Sequence, residues 1–220
     1  LEGEEREWSD ETRAVAEETT RKVQTFTERT RKRFEMVDEL REVADEDTRT
    51  KMFSEAFFEK VDNRRSEWLD LLEQLETACE AYSADSSSPV EAHLYDLLDN
   101  VDDIIGGTYH MNKGVLSLNF YFRKGEEYLE NGEPRDGMDE EYQLFAELAV
   151  ESERDVELGE DIMENCNDLV REISSEWGER AYDEIVAGGW TPIHKHGVEM
   201  NIAPLAESEV VPECVEDDVL

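Results

Sequence analysis

From Glu4 to Ala44 the chain has neither proline nor glycine, and its apolar residues recur at helical intervals. Ala16, Val23 and Val37 fall at seven- and fourteen-residue spacings, with Phe26 and Leu40 three residues behind Val23 and Val37. Nothing here breaks a helix, and this spacing returns the apolar side chains to one narrow line along it. The segment 1–45 therefore predicts one long helix. Thr30 and Arg33 interrupt its line. A helix this polar either lies against the rest of the protein or stands out from it as a protruding arm. It also carries the chain's basic cluster: Arg21, Lys22, Arg29, Arg31, Lys32 and Arg33. Such a stripe can track phosphate, but with acid all around it the favoured reading is ion pairing.

The rest of the chain to about residue 187 keeps the helical pattern. After a break at 45–47, with Asp47 as N-cap, a second long helix is predicted to about Tyr82. Its core face is Met52, Ala56, Phe57, Val61, Trp68, Leu71, Leu72, Leu75 and Cys79. A Ser-rich loop follows, then the capping box Ser88-Pro89-Val90-Glu91, which starts a third helix running to Gly106-Gly107 as its stop. The stretch 108–131 is rich in strand-forming residues, yet Met111, Val115, Leu118, Phe122, Gly125 and Leu129 are spaced as a helix seam, and helix is the expectation. Asn131-Gly132-Glu133-Pro134 turns the chain. Two further amphipathic segments, 139–152 and 156–173, read as separate helices or one bent helix. A short helix capped by Ser174 or Ser175 then closes at Gly188-Gly189. The fold class expected is all-α: an irregular bundle of six or seven helices over 1–187, with an extended tail, 188–220, packed upon it.

Charge narrows the setting. The chain has 59 acidic and 22 basic residues, a net charge of −37, and the excess is spread along its whole length. In dilute buffer such a surface repels itself. In molar salt the Debye length falls to about 3 Å and the repulsion is screened. A high-salt cytoplasm, as in extreme halophiles, is the simplest setting; a nucleic-acid mimic would gather its acid on one patterned face. No segment approaches the ~18 apolar residues of a membrane span, and the expected location is cytoplasmic. Leu1 stands where a start methionine would, so a piece of a longer polypeptide is expected. Cys79, Cys166 and Cys214 are few and far apart, which fits reduced thiols better than a disulfide framework or zinc site.

Signatures of chemistry are scarce. There is no Gly-rich phosphate loop, no Gly-x-Ser-x-Gly elbow and no Cys-x-x-Cys. His194 and His196 on an extended chain would point the same way and could form half of a metal site, with Glu199 as a third ligand, but no further His or Cys completes it. Neither a catalytic residue nor a cofactor-binding or metal-binding residue is assigned within the chain.

The tail carries the most specific wording. His194-Lys195-His196-Gly197-Val198-Glu199-Met200-Asn201-Ile202-Ala203-Pro204-Leu205 follows an aromatic turn at Trp190 and Pro192. It resembles the C-terminal end of the PglX (BrxX) adenine-specific DNA methyltransferases of BREX phage-defence systems and their type IIG-like relatives. There an aromatic-rich turn leads into (Asp/His)-Gly-Val-x-x-Asn-Ile-x-Pro-Leu. Trp190, Pro192, His196, Gly197, Val198, Asn201, Ile202, Pro204 and Leu205 fit that wording, over about thirty residues of the 220. The resemblance implies a parent that transfers a methyl group from S-adenosylmethionine to adenine N6. The family's (Asn/Asp)-Pro-Pro-(Tyr/Phe) motif and Gly-rich cofactor loop do not occur here, so no catalytic or cofactor residue carries over.

The resulting expectation is a non-catalytic C-terminal region of such an enzyme, serving as scaffold, target-recognition support or docking surface. Its partners would be the rest of the methyltransferase and other defence subunits, with DNA reached through the parent and no membrane. Two rivals differ in kind. A free-standing halophilic adaptor would dimerise through the first helix, and a metal-dependent hydrolase would use His194 and His196.

Overall fold

The computed structural model describes residues 7–86, 94–117 and 119–188, and they fold as an all-α protein. Its helices are α1 (Asp10–Val43), α2 (Glu46–Met52), α3 (Glu55–Glu80), α4 (Leu94–Ser117), α5 (Asn119–Glu126) and α6 (Glu140–Gly188). A hairpin of two short antiparallel strands, β1 (Leu129–Glu130) and β2 (Glu133–Pro134), precedes α6. The predicted capping box Ser88–Glu91 and the tail beyond Gly188 lie outside the described residues.

The described residues form two compact units. Unit one comprises 7–23, 73–86, 94–109 and 161–188; unit two comprises 24–72, 110–117 and 119–160. α1, α3, α4 and α6 each contribute one length to one unit and one to the other.

The seam that the sequence predicts on α1 is longer and more regular than its apolar residues alone indicate. Thr12, Ala16, Thr19, Val23, Phe26, Thr30, Arg33, Val37, Leu40 and Ala44 are all buried, in an unbroken alternation of four- and three-residue steps. α6 repeats the pattern through Glu141, Phe145, Leu148, Ser152, Asp155, Ile162, Cys166, Leu169 and Ile173. α3 contributes Trp68, Leu72, Leu75 and Cys79, and Tyr82 keeps the spacing just beyond its end. A 3.5-residue repeat on several helices is the signature of knobs-into-holes packing. Thr30 and Arg33 do not interrupt the seam but belong to it. The threonine hydroxyls are accommodated because a helix can satisfy them itself: Thr19 Oγ1 donates to Val15 O at 2.7 Å and Thr20 Oγ1 to Ala16 O at 2.8 Å.

In unit one, Ser9 caps α1. Its Oγ accepts from Thr12 N at 3.1 Å, while its own backbone N–H donates to the Glu176 carboxylate of α6, at 3.0 Å to the nearer oxygen. Thr12 Oγ1 donates to the same carboxylate. Trp8 meets Tyr82 edge-on at 5.2 Å between centroids. Burial raises the Tyr82 phenol above its ordinary range. The Gly106-Gly107 pair does not stop a helix; α4 runs through it to Ser117. A β-carbon at Gly107 would lie 2.9 Å from Leu75 Cβ, so that glycine serves close helix contact, whereas Gly106 faces open space.

In unit two, the predicted second helix is two helices, and its N-cap is Asp45 rather than Asp47. The Asp45 side chain accepts from Thr48 N at 2.8 Å, and Asp45 N donates to Glu141 Oε2 of α6 at 2.9 Å. α2 ends where Phe53 turns inward to stack on Tyr121, centroids 5.8 Å apart. Within the ambiguous stretch 108–131, residues 108–117 in α4 and 119–126 in α5 are helical, as the spacing predicts, but Leu129 leaves the helix seam for β1, where it pairs with Pro134 across the Asn131-Gly132 turn. Gly125 sits on that seam because a β-carbon there would lie 1.9 Å from Phe145 O. At the predicted turn, Asn131 (φ 55°) and Gly132 (φ 79°) both take positive φ, the requirement of a tight two-residue hairpin. The segments 139–152, 156–173 and the following short helix are one helix. Ser174 does not cap; its hydroxyl donates back to Val170 O within α6.

Candidate functional site

The feature of unit two that a helical core does not supply by default is a buried ionic centre. Arg33 is 1% exposed and Asp155 0%, and each occupies a core position of its helix seam. Arg33 Nε lies 2.6 Å from Asp155 Oδ2, and Arg33 Nη2 donates to Thr30 Oγ1 at 2.9 Å. Arg29, one turn earlier on α1, pairs through Nε with the other Asp155 oxygen and through Nη2 with Glu151 Oε2 at 2.9 Å. Two guanidiniums from α1 thus clamp two carboxylates from α6. Aromatic rings close the apolar side: the Arg33 guanidinium carbon lies 5.6 Å from the Phe26 centroid and 5.7 Å from that of Trp68. Trp68 also meets Phe34 at 6.0 Å in an edge-on arrangement.

Electrostatics follow from depth. Burial is the largest influence on Arg33 and pushes its pKa down to about 10, against the raising effect of Asp155. That value remains far above neutrality, so the group stays charged. At Arg29 the largest single influence, burial, opposes the charge. The hydrogen bond and charge of Asp155, with Glu151, outweigh it and hold Arg29 above its ordinary value.

The basic stripe is therefore divided. Lys22, in unit one, is within 3.4 Å of Glu18 and 3.5 Å of Asp161. Arg29 and Arg33 belong to the ionic centre. Arg21, Arg31 and Lys32 are exposed. Lys32 borders an open depression of about 410 Å³ with Glu35, Glu39, Glu133, Glu147 and Glu151 on its walls and Met36, Pro134, Leu144 and Val150 as its apolar part. Among the described residues no group of three or more His, Cys, Asp or Glu converges on a metal position. None of the described helices is long and apolar enough to cross a membrane. His194 and His196, together with Trp190, Pro192, His196-Gly197-Val198, Asn201-Ile202 and Pro204-Leu205, lie outside the described residues.

Two groupings escaped the sequence reading. Asp155 is one; its signal is a carboxylate at a core position of a heptad seam, matched by an arginine at a core position of another. The second is Cys79 and Cys166, far apart in sequence and both buried as free thiols in unit one.

Compared with sequence models of protein families, with characterised proteins and with solved structures, the chain matches none.

Proposed function

We propose that this chain is the non-catalytic helical C-terminal region of a BREX-type adenine-N6 DNA methyltransferase from a halophile, acting as scaffold, target-recognition support or docking surface for other defence subunits. The observation that carries the reading is the tail wording from Trp190 through His196-Gly197-Val198, Asn201-Ile202 and Pro204-Leu205. Two features of the helices support it. α6 runs 49 residues directly up to that tail, which suits a strut carrying a terminal motif. Half of the basic stripe (Lys22, Arg29 and Arg33) is engaged by carboxylates, leaving few cations of this region for phosphate. On this reading S-adenosylmethionine, the catalytic residues and the flipped adenine belong to the parent.

The test is methyl transfer by the native protein. Captured from its source with an antibody against residues of this chain, it is expected to move labelled methyl groups from S-adenosylmethionine to adenine N6, while the 220-residue chain alone does not. A captured native protein without methyl transfer in molar salt would contradict the proposal.

A further inference from the structure

In unit two, α1 and the first part of α6 run antiparallel: Arg29 pairs with Glu151 at 2.9 Å toward one end, and Asp45 N donates to Glu141 at 2.9 Å toward the other. The depression of about 410 Å³ lies along this helix pair. Its α1 wall is Lys32, Glu35, Met36 and Glu39, whose three- and four-residue intervals put them on one face of the helix. Leu144, Glu147, Val150 and Glu151 form the α6 wall, and β2 adds Glu133 and Pro134. Met36 is buried, while Leu144, Val150 and Pro134 are half-buried, so an apolar strip is left partly open to water. The carboxylates around that strip are not neutralised from within. Among the described residues no ion pair engages Glu35, Glu39, Glu133 or Glu147; the Glu147 carboxylate accepts only from the neutral amide of Gln143, at 2.9 Å. Glu151, by contrast, is paired with Arg29 and Arg154. Arg135, next to Pro134, spends its guanidinium on the hairpin, where Nη2 donates to Glu127 O at 2.9 Å.

We propose that this depression docks a basic amphipathic helix of a partner protein, with an aliphatic anchor on Met36, Leu144 and Val150 and arginines or lysines on Glu35, Glu39, Glu133 and Glu147. A groove between two helix faces is the shape that receives a third helix by its apolar side. From Lys32 to Glu39 the α1 wall is about 10 Å long at ~1.5 Å per residue, enough for two turns of a partner. Arginine and lysine suit the site because their aliphatic stems lie along apolar surface while the charged ends reach outward. The acid of the rim supplies complementarity and the apolar strip supplies location, since carboxylates are spread over the whole chain and cannot by themselves single out one place. The same rim excludes two other occupants. A second copy of this chain would bring another surface of net charge −37 against it, and a nucleic acid would bring phosphate. No residue of the tail takes part, so the proposal stands or falls separately from the methyltransferase reading.

The experiment uses the full 220-residue chain in molar potassium chloride, where the Debye length is about 3 Å and diffuse attraction to an acidic surface is screened. The probe is a fluorescein-labelled helical peptide of alanine, leucine and arginine, with leucines on one face and arginines flanking them, followed by fluorescence anisotropy. The expected result is saturable binding that Glu35→Gln with Glu39→Gln and Glu133→Gln weakens about tenfold. Glu28→Gln with Glu42→Gln and Glu153→Gln removes the same charge from exposed positions of unit two outside the depression, and should change binding less than about twofold. Leu144→Asp should weaken binding about tenfold although it adds a negative charge, because it breaks the apolar strip. Circular dichroism checks the fold of each variant, and the two glutamine sets are read whether or not Leu144→Asp folds. Absence of saturable binding, equal loss in the two glutamine sets, or tighter binding by folded Leu144→Asp would each overturn the proposal. So would a dimer of the chain that the peptide dissociates, which would seat a second copy in the depression. Displacement of the peptide by spermidine as readily as by unlabelled peptide would assign the site to a small polyamine and overturn it equally.

Discussion

Unit one and unit two draw on the same long helices but fill them differently. The seam of unit one is mostly small and aliphatic, Ala16, Val23, Leu75, Cys79, Ile104, Ile162, Cys166 and Leu169 with Thr12, Thr19 and Thr108, and Trp8 against Tyr82 is its described aromatic pair. Unit two is aromatic and ionic: Phe26, Phe34, Phe53, Trp68, Tyr121 and Phe145 surround Arg33 and Asp155. Small residues let helices approach closely, as Gly107 does against Leu75. In unit two the rings of Phe26 and Trp68 flank the Arg33 guanidinium instead. A buried pair of this kind adds little net stability, because desolvation of both ions offsets their attraction.

The largest effects should fall in unit two. Asp155→Ala leaves Arg33 buried without its carboxylate and should cost about 3–5 kcal/mol, whereas Arg33→Met with Asp155→Leu should be close to neutral. Urea unfolding of the three variants decides it; a double variant as damaged as the single one would mean the pair itself supplies the stability. Trp68→Ala should also cost about 3–5 kcal/mol, since the ring contacts Phe26, Phe34 and Arg33. A loss under about 1 kcal/mol would remove Trp68 from the core.

Unit one offers a sharper pair. Gly107→Ala places a β-carbon against Leu75 and should destabilise by about 1–3 kcal/mol. Gly106→Ala meets open space within the same helix and should stabilise by about 0.5–1 kcal/mol. Thermal melts of both variants test the close approach directly, and equal signs would argue against it.

The smallest effects lie at the surface. Arg65→Met breaks the Arg65–Asp38 pair, whose side chains are 28% and 46% exposed, and should cost under about 1 kcal/mol, less still in molar salt. Asp45 is governed by pH. The Thr48 backbone N–H, its largest influence, holds the carboxyl below its ordinary 3.8. A depressed folded pKa gives stability that is present above the unfolded value and lost as pH falls through the folded one. The protection of α2 amides relative to their intrinsic exchange rate should therefore fall on acidification below 3.8 in the native chain, but not in Asp45→Asn, which keeps the cap without the titration.

Much of the fold was legible because heptad spacing is a sequence property. The long first helix and the helices on either side of residue 118 follow from it, while the Asn131-Gly132 turn follows from residues that accept positive φ. The boundaries were less legible where a rule of local chemistry met a tertiary fact. Gly106-Gly107 resembles a helix stop, but the partner helix fixes its role. Ser174 resembles a cap, but its hydroxyl bonds inside a continuing helix. Asp47 yields to Asp45 because Glu141, nearly a hundred residues away, holds the Asp45 backbone. The ionic centre hid for the same reason: Arg33 read as an interruption until Asp155 stood opposite it.

The central claim is that this chain is the helical end of a larger methyltransferase, and the length of the native polypeptide tests it most directly. Peptide mapping of the intact protein should find several hundred residues upstream of Leu1, with an Asn-Pro-Pro-Tyr-like motif among them. A native chain that begins within a few residues of Leu1 would contradict it and leave the helical bundle to stand as a protein in its own right.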